Sequence, residues 1–148
     1  MYCIKLCRSE ELQHVLKLSE LWKKENITIG YENVKHTIEG LAARLNDYFY
    51  VAVIDDEVVG YVFGEIRNGS AGPVIPQNEN YLEIFEIYIH PNYRNQGVGR
   101  ALLSTIHKQA ESNGITRFLV GSSNRRWKET ADFYEELGYQ MWYIQMFK

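Results

Sequence analysis

The stretch YLEIFEIYIHPNYRNQGVGRALLSTIHKQAESN, residues 81–113, contains a strand signal, a loop and a helix signal in immediate succession. Its first part is a run of large apolar residues that ends at Pro91, which is typical of a mostly buried strand. Its last part has an apolar residue at every fourth position, which predicts a helix that packs on one face. The residues that set this period are Val98, Leu102, Ile106 and Ala110.

The loop between these two elements suits an anion. A strand, a loop and a helix in this order direct backbone N–H groups and the positive end of the helix dipole into one small volume. Gly97 and Gly99 let a phosphate approach the main chain, because neither residue has a Cβ. An ordinary strand-to-helix connection is the alternative. The loop lacks the third glycine of a dinucleotide fingerprint and the Gly-Lys-Ser/Thr of a P-loop.

The residues around the loop resemble a known signature. Arg94-x-x-Gly97-x-Gly99, after a strand that ends in His-Pro-Asn-Tyr, is similar to the acyl-CoA-binding motif of the GCN5-related N-acetyltransferase (GNAT) superfamily. Asn124 and the block ADFYEELGY, residues 131–139, resemble the next motif of that superfamily. The resemblance implies an α/β (α+β) fold with a mixed central sheet of six to seven strands, flanked by about four helices.

The other segments are compatible with this fold. Six strands are predicted, at residues 2–8, 47–55, 58–67, 81–89, 115–122 and 139–147. The predicted helices follow Ser9, cover residues 34–45, follow Gly97, and cover residues 127–137. Residues 55–57 predict a hairpin turn, and residues 68–80 predict a loop. The strand at 115–122 is expected to lie parallel to the one at 81–89, because a helix intervenes. The whole chain, residues 1–148, is interpreted as a single N-acetyltransferase domain.

The last predicted strand, YQMWYIQMF at residues 139–147, is apolar on both of its alternating faces. Such a strand has to be covered on both sides. Helices of the same chain are one way to cover it, and a partner copy in a homodimer is the other.

Acetyl transfer from a thioester to an amine needs a base for the ammonium proton and an acid for the departing thiolate. Glu83 and Glu86 are the candidate bases, since a carboxylate within an apolar strand is unusual. Strand alternation places them on opposite faces unless a bulge intervenes. Glu83 is slightly favoured, because some members of the superfamily place their base at a comparable distance before the loop. The alternative for either glutamate is an ion pair with Arg67 or another cation.

The resemblance assigns the other roles. Tyr134 matches the tyrosine that protonates the thiolate, with a core tyrosine as the alternative. The turn after the first helix suggests acceptor contacts at Glu25, Tyr31 and Glu32, although a solvated loop would look the same. The residues assigned to the cofactor are Ile87, Tyr88, Ile89, Arg94, Asn95, Gln96, Gly97, Val98, Gly99, Arg100, Asn124 and Tyr134.

The composition excludes several classes of protein. A net charge of −3 and a pI near 5.8 give no basic field for nucleic acid. No stretch approaches the roughly 18 apolar residues of a membrane span, and the N-terminus lacks a signal peptide core, so the cytoplasm is the expected location. Cys3 and Cys7 are about 13 Å apart by strand rise, too far for a disulfide. We predict no metal site.

These observations predict an acetyl-CoA-dependent N-acetyltransferase that acts by direct attack of a primary amine on the thioester. The expected acceptor is a small molecule of the aminoglycoside or polyamine type. A protein lysine or N-terminus is the alternative acceptor. A non-catalytic acyl-CoA sensor is the alternative of another class, and Tyr134 together with the two strand glutamates argues against it.

Overall fold

A five-stranded sheet with its strands in sequence order forms the centre of the computed structural model, which describes residues 1–69 and 72–148. The strands are β1 (Cys3–Leu6), β2 (Phe49–Ile54), β3 (Glu57–Asn68), β4 (Asn80–Ile89) and β5 (Phe118–Val120). The helices are α1 (Leu12–Glu25), α2 (Ile38–Ala42), α3 (Val98–Ser112) and α4 (Trp127–Glu136). No helix in the described residues is long and apolar enough to cross a membrane.

The hairpin predicted around residues 55–57 is confirmed. Strands β2 and β3 are antiparallel, and they are joined by Asp55 and Asp56, whose φ angles are 49° and 64°. Positive φ at both turn residues gives the backbone twist that a two-residue hairpin needs. Aspartate adopts this conformation more readily than most residues with a side chain.

Strand β4 pairs antiparallel with β3 along its length and parallel with β5, as predicted for strands linked through a helix. The pairing with β5 covers only three residues and ends where Ile84 lies opposite Val120. The part of β4 from Phe85 to Ile89 therefore has its far edge open among the described residues. This opening positions the candidate site.

The two faces of the sheet carry separate apolar cores. All four residues that set the period of α3 are buried, and they pack with Leu82 and Ile84 of β4 on one face. On the other face, α1 and α2 pack against Phe85 and Tyr88. The helical period in the sequence thus identified the buried side of α3 correctly.

A β-bulge changes the alternation of β4. Phe63 of β3 lies opposite Glu86, but the next residue of β3, Gly64, lies opposite Ile84, so Phe85 is an extra residue in β4. Because of this extra residue, Glu83 and Glu86 share the face that packs on α1 and α2. The uninterrupted alternation that would separate the two glutamates does not occur.

Several predicted elements are shorter or absent. Five strands are present in the described residues, because residues 139–148 form no strand and have no partner strand there. The helix predicted at 34–45 is reduced to α2, which begins after Thr37, whose Oγ1 accepts a hydrogen bond from the Gly40 N–H. The loop predicted at 68–80 contains a single 3₁₀ turn at Gly72–Val74, and residues 70 and 71 lie outside the described residues.

The cysteines do not form a pair. Both are free thiols, Cys3 exposed on β1 and Cys7 buried just after it. Burial raises the pKa of Cys7 to about 12, so its thiol stays protonated and unreactive at neutral pH. Cys7 is thus a packing residue of the core, and Cys3 is not.

Candidate active site

A cleft of about 890 Å³ lies where the edge of β4 is open, and we call it the β4 cleft. Its walls are β4, the start of α3, the segment from β5 into α4, and the turn after α1. The candidate residues from the sequence that line it are Glu25, Tyr31, Glu86, Ile87, Tyr88, Ile89, Arg94, Asn95, Gly97, Val98, Gly99, Arg100, Asn124 and Tyr134. Glu32, Glu83 and Gln96 do not line it.

The N-terminus of α3 presents free donors at one end of this cleft. Gly97 precedes the helix with φ 83°, and no side chain caps the helix start. The first intrahelical bond runs from the Ala101 N–H to the Gly97 carbonyl, so the N–H groups of residues 98–100 precede the hydrogen-bonded ladder. Uncapped donors at the positive end of a helix of this length fit a phosphate group.

Gly99 brings the backbone close to α4. A Cβ at this position would lie 3.5 Å from the Phe133 ring and 3.8 Å from Ile89, which is ordinary contact distance. Alanine would therefore fill the remaining space, and a larger side chain would have to enter the β4 cleft. Asn95, two residues before Gly97, also has positive φ, at 62°.

The side chain of Arg94 binds protein groups. Its Nη1 and Nη2 donate to the two carboxylate oxygens of Glu25 at 2.9 and 2.6 Å, and its Nε donates to the Ile89 carbonyl at 3.0 Å. Arg94 thus ties the end of α1 to the loop before α3. Burial raises the pKa of Glu25, but the hydrogen bonds from Arg94 and Tyr88 outweigh it, so that pKa lies below its usual value.

The open edge of β4 offers main-chain groups to an extended ligand. The His90 N–H bonds to the Val59 carbonyl of the neighbouring strand β3, so by antiparallel alternation Ile87 and Ile89 direct their backbone groups away from β3. The Ile89 carbonyl on this edge already accepts from Arg94. Across the cleft, the Oδ1 of Asn124 accepts from the Arg126 N–H at 2.8 Å. The side-chain NH₂ of Asn124 has no partner within the described residues.

Glu86 is the centre of a polar cluster inside the apolar face. Its Oε1 accepts hydrogen bonds from the hydroxyls of Tyr61 at 2.7 Å and Tyr31 at 2.9 Å. Its Oε2 lies 2.7 Å from Nε2 of His36. The Tyr31 hydroxyl also lies 2.8 Å from Ser19 Oγ. Burial, and then the charge of Glu86, raise the pKa values of both tyrosines, so they remain protonated donors.

The geometry leaves Glu86 with spare acceptor capacity. A carboxylate has about four lone-pair positions, two on each oxygen. The two tyrosine hydroxyls use both positions on Oε1, and His36 uses one on Oε2. One acceptor position on Oε2 therefore remains for a further donor, and Glu86 lines the β4 cleft.

Aromatic rings line the same part of the cleft. Trp22 stacks on Tyr31 with a centroid distance of 3.9 Å and on Tyr88 with one of 5.0 Å. The Trp22 Nε1–H donates to Thr28 Oγ1 at 2.9 Å, which fixes the indole. The Tyr88 ring also has the Arg94 guanidinium 5.3 Å from its centroid, so the stack connects α1 to the loop before α3.

Tyr134 lies on the opposite wall, on α4. Its ring contacts Phe133 and Tyr139, and its hydroxyl has no hydrogen-bond partner within the described residues. Burial raises the pKa of Tyr134 to about 12. The hydroxyl is therefore protonated at neutral pH and is available to donate a hydrogen bond.

The sequence profile of the acetyltransferase (GNAT) family matches residues 10–139. The chain belongs to this family. An acetyltransferase of Sodalis glossinidius is 25% identical over 140 residues, which cover 93% of this chain and 87% of that protein. An uncharacterized N-acetyltransferase of Methanocaldococcus jannaschii is 29% identical over 102 residues, which cover 68% of this chain and 42% of that protein.

Solved structures have the same fold. The aminoglycoside N-acetyltransferase AAC(6')-Iy, in complex with a CoA bisubstrate analog, aligns with a TM-score of 0.74 and 16% identity, over 100% of this chain and 97% of that one. An aminoglycoside acetyltransferase from an uncultured soil metagenomic sample, in complex with sisomicin, has a TM-score of 0.72 and 15% identity, over 99% and 95%. The fold therefore agrees with the family match, and it is that match that identifies the protein as an N-acetyltransferase.

Within this GNAT chain the two candidate bases have different surroundings. Glu83 lies outside the β4 cleft and pairs with Arg67, whose Nε is 2.9 Å from its Oε1, and both side chains are partly exposed. This is the ion pair that the sequence left open as an alternative. Glu86, only 12% exposed, lies in the cleft within reach of a substrate.

Sequence reasoning did not identify three residues of this GNAT site. His36 and Tyr61 hold Glu86, and Trp22 forms the aromatic wall. The sequence could have suggested Tyr61, because a tyrosine in a buried strand needs a hydrogen-bond partner for its hydroxyl. No pattern in the sequence pointed to His36, since it lies in an irregular segment that contacts β4 only in the folded chain.

Proposed function

We propose that this enzyme transfers an acetyl group from acetyl-CoA to a primary amine of a small cationic molecule of the aminoglycoside or polyamine type. The observation that carries the proposal is Glu86, a carboxylate with one unused acceptor position in the cleft that also contains the uncapped start of α3. Such an arrangement places a site for an ammonium and a site for a phosphate in one groove.

The residues present fit acetyl-CoA, which supplies the acetyl thioester. The N–H groups of residues 98–100 would hold the pyrophosphate, and the backbone groups of Ile87 together with the Ile89 N–H would pair with the amide-rich pantetheine arm. The Asn124 NH₂ would donate to the same arm from the other wall. A solved neighbour of this fold, AAC(6')-Iy, is in complex with CoA.

The acceptor end favours a cation. Glu86 supplies a negative charge with one unused acceptor position, and this attracts an ammonium. Glu25, predicted to contact the acceptor, is bound by Arg94 and Tyr88 and is assigned instead to holding the end of α1 in place. The aminoglycoside acetyltransferases among the structural neighbours support an acceptor of the same chemical type.

Glu86 would accept the proton of the bound ammonium, directly or through one water, which leaves the amine free to attack. Tyr134 lines the opposite wall of the cleft and would face the departing thiolate. A pKa of about 12 lies above the thiol value of about 8.5, so full proton transfer to a solvated thiolate would be uphill. The Tyr134 hydroxyl therefore acts first as a hydrogen-bond donor to the sulfur, and transfer completes only where burial also raises the thiol pKa.

The test is an acceptor panel. The purified chain is incubated with acetyl-CoA and a thiol reagent, together with an aminoglycoside, a polyamine, a lysine-containing peptide or no acceptor. The proposal predicts CoA release that depends on a small polyamine or aminoglycoside. Release with the peptide alone would assign a protein acceptor, and no release with any amine would refute the proposal.

A further inference from the structure

The carboxylate that faces the β4 cleft has a histidine on one of its oxygens. Nε2 of His36 lies 2.7 Å from Oε2 of Glu86, and Oε2 is also the oxygen that keeps the unused acceptor position. The side chains of His36 and Glu86 are only 18% and 12% exposed, so bulk water screens their charges weakly. His36 is therefore a direct neighbour of any cation that binds Glu86 from the cleft.

The hydroxyl groups of the cluster stay neutral. Tyr61 and Tyr31 both donate to Oε1 of Glu86. Burial, and then the charge of Glu86, raise the pKa of each tyrosine, so neither loses its proton at neutral pH. Ser19 of α1 contacts the Tyr31 hydroxyl and is neutral as well. These groups therefore add no charge that changes with pH.

Arg44, in the segment after α2, contributes a charge near the cluster. Its guanidinium carbon lies 5.8 Å from the centroid of the Phe63 ring, and His36 meets the same ring edge-on with a centroid distance of 6.1 Å. Arginine keeps its charge at every pH at which proteins are folded, so this positive field is constant. Of the groups named, His36 and Glu86 are left to change the charge of the cluster.

The charge of this pair decides whether the site attracts an ammonium. With a neutral imidazole the pair is negative, and with an imidazolium it is neutral. Hydrogen bonds of about 2.8 Å to lone pairs about 120° apart would place the ammonium about 5 Å from the ring nitrogen of His36. Two cations this close in a weakly screened site repel each other.

We propose that His36 is a positioning residue that sets the charge of the acceptor site: its neutral imidazole leaves the Glu86 carboxylate free for the ammonium, and its protonation excludes the ammonium. The inference rests on the proposed function, since it takes Glu86 as the acceptor site. A proton on His36 and an ammonium on Glu86 then exclude each other, so acceptor binding releases a proton. Acceptor affinity therefore falls as the pH falls.

The size of the effect follows from this competition. An ordinary imidazole titrates near pH 6.5, and full competition with one such proton raises the Kd of the acceptor about tenfold between pH 7.5 and 5.5. The titration of the acceptor and that of Glu86 are common to the wild type and to variants of His36. The difference between these proteins therefore measures the contribution of His36.

The test measures acceptor binding to the enzyme–CoA complex, in which no transfer occurs. The probe is spermidine or kanamycin, whichever the acceptor panel shows to be acetylated, and calorimetry gives its Kd at pH 7.5 and 5.5. Buffers of different ionisation enthalpy give the number of protons released. The wild type should lose about tenfold in affinity and should release a proton at pH 5.5. His36→Gln keeps an N–H donor but cannot titrate, so its affinity should change much less and it should release no such proton.

Two further variants complete the comparison. His36→Lys keeps a positive charge at both pH values, so its acceptor affinity should be low at both. His14→Gln changes an exposed histidine on α1 and should keep the pH dependence of the wild type. Melting curves and acetyl-CoA titrations show whether each variant is folded and binds the cofactor.

The possible failures are distinguishable. The same loss of affinity in the wild type and in His36→Gln would overturn the inference and leave the proposed function intact. So would a wild type that binds the acceptor at pH 5.5 without releasing a proton, a result that does not require any variant to fold. If neither amine is acetylated, the proposed function fails, and the inference fails with it.

Discussion

Replacing Glu86 with glutamine is expected to lower turnover by about 10²–10⁴-fold at neutral pH, the range for losing a positioned base. In free energy this is about 2.7–5.4 kcal/mol of transition-state stabilisation. The amide carbonyl can still accept from Tyr61 and Tyr31, so the local packing is retained. The amide NH₂ replaces Oε2, which removes the charge and the one unused acceptor position.

The assay is the initial rate of CoA release at saturating acetyl-CoA, measured from about pH 6.5 to 9.5 for the wild type, Glu86→Gln and Glu83→Gln. The rate difference between wild type and Glu86→Gln should shrink as pH rises, because more of the acceptor amine is already neutral. Melting curves and acetyl-CoA titrations show whether the variant folds and still binds the cofactor.

Glu83→Gln is the matched control. This variant makes the same chemical change in the same strand, β4. The carboxylate that it removes lies outside the cleft and is paired with Arg67, which is partly exposed. Surface pairs of this kind contribute about 0–1 kcal/mol, so turnover should change only a few-fold. A larger defect in Glu83→Gln than in Glu86→Gln, or a Glu86→Gln defect that does not vary with pH, would refute the assignment of the base.

Three further predictions concern the cofactor loop, the acid and a partly buried histidine. Gly99→Val should weaken acetyl-CoA binding at least tenfold, as measured by calorimetry, because the extra methyl groups of valine enter the cleft. The control Gln96→Ala changes an exposed residue and should bind acetyl-CoA like the wild type. Equal affinities of the two variants would exclude the loop as the pyrophosphate site. Tyr134→Phe should melt at nearly the same temperature as the wild type and bind acetyl-CoA with an affinity within a few-fold of it. Its rate of single-turnover CoA release should fall about 10²-fold. A much lower melting temperature would show instead that Tyr134 is a core residue. Burial lowers the pKa of His107, so the unfolded chain takes up this proton first and stability should fall as pH drops below about 6.5. His107→Gln should reduce the loss in melting temperature between pH 7.5 and 5.5, and the exposed His14→Gln should not; parallel losses in all three proteins would contradict the argument.

The parts of the fold that follow from local chemistry were predictable from the sequence. The period of Val98, Leu102 and Ile106 gave α3 and its buried face, and the run Asp55-Asp56-Glu57 gave the hairpin. Each of these signals lies within a few residues of the element that it specifies. Residues 139–147 show the limit, because they have the propensity of a strand but form none, and propensity does not specify a pairing edge.

The active site was predictable on its cofactor side and much less so on its acceptor side. The cofactor side is one continuous segment, from Ile87 through the loop into α3, so a local motif describes it. The acceptor side joins Trp22 of α1, His36 and Tyr61 to β4 through tertiary contacts alone. No spacing in the sequence encodes such a cluster, and the strand register that selects Glu86 depends on a bulge.

That bulge links the two halves of the site. With Phe85 as an extra residue, Glu86 turns toward His36 and the tyrosines, whereas strict alternation would have turned it toward α3. A bulge also bends and twists its strand, and the pairing of β4 with β5 ends at Ile84, immediately before it. The same irregularity therefore accounts for the buried carboxylate and for the open edge along which the cofactor would lie. A bulge in a strand that leads to a glycine-containing loop therefore indicates a functional site. Bulges occur often beside active sites, because the extra residue directs a side chain into the site.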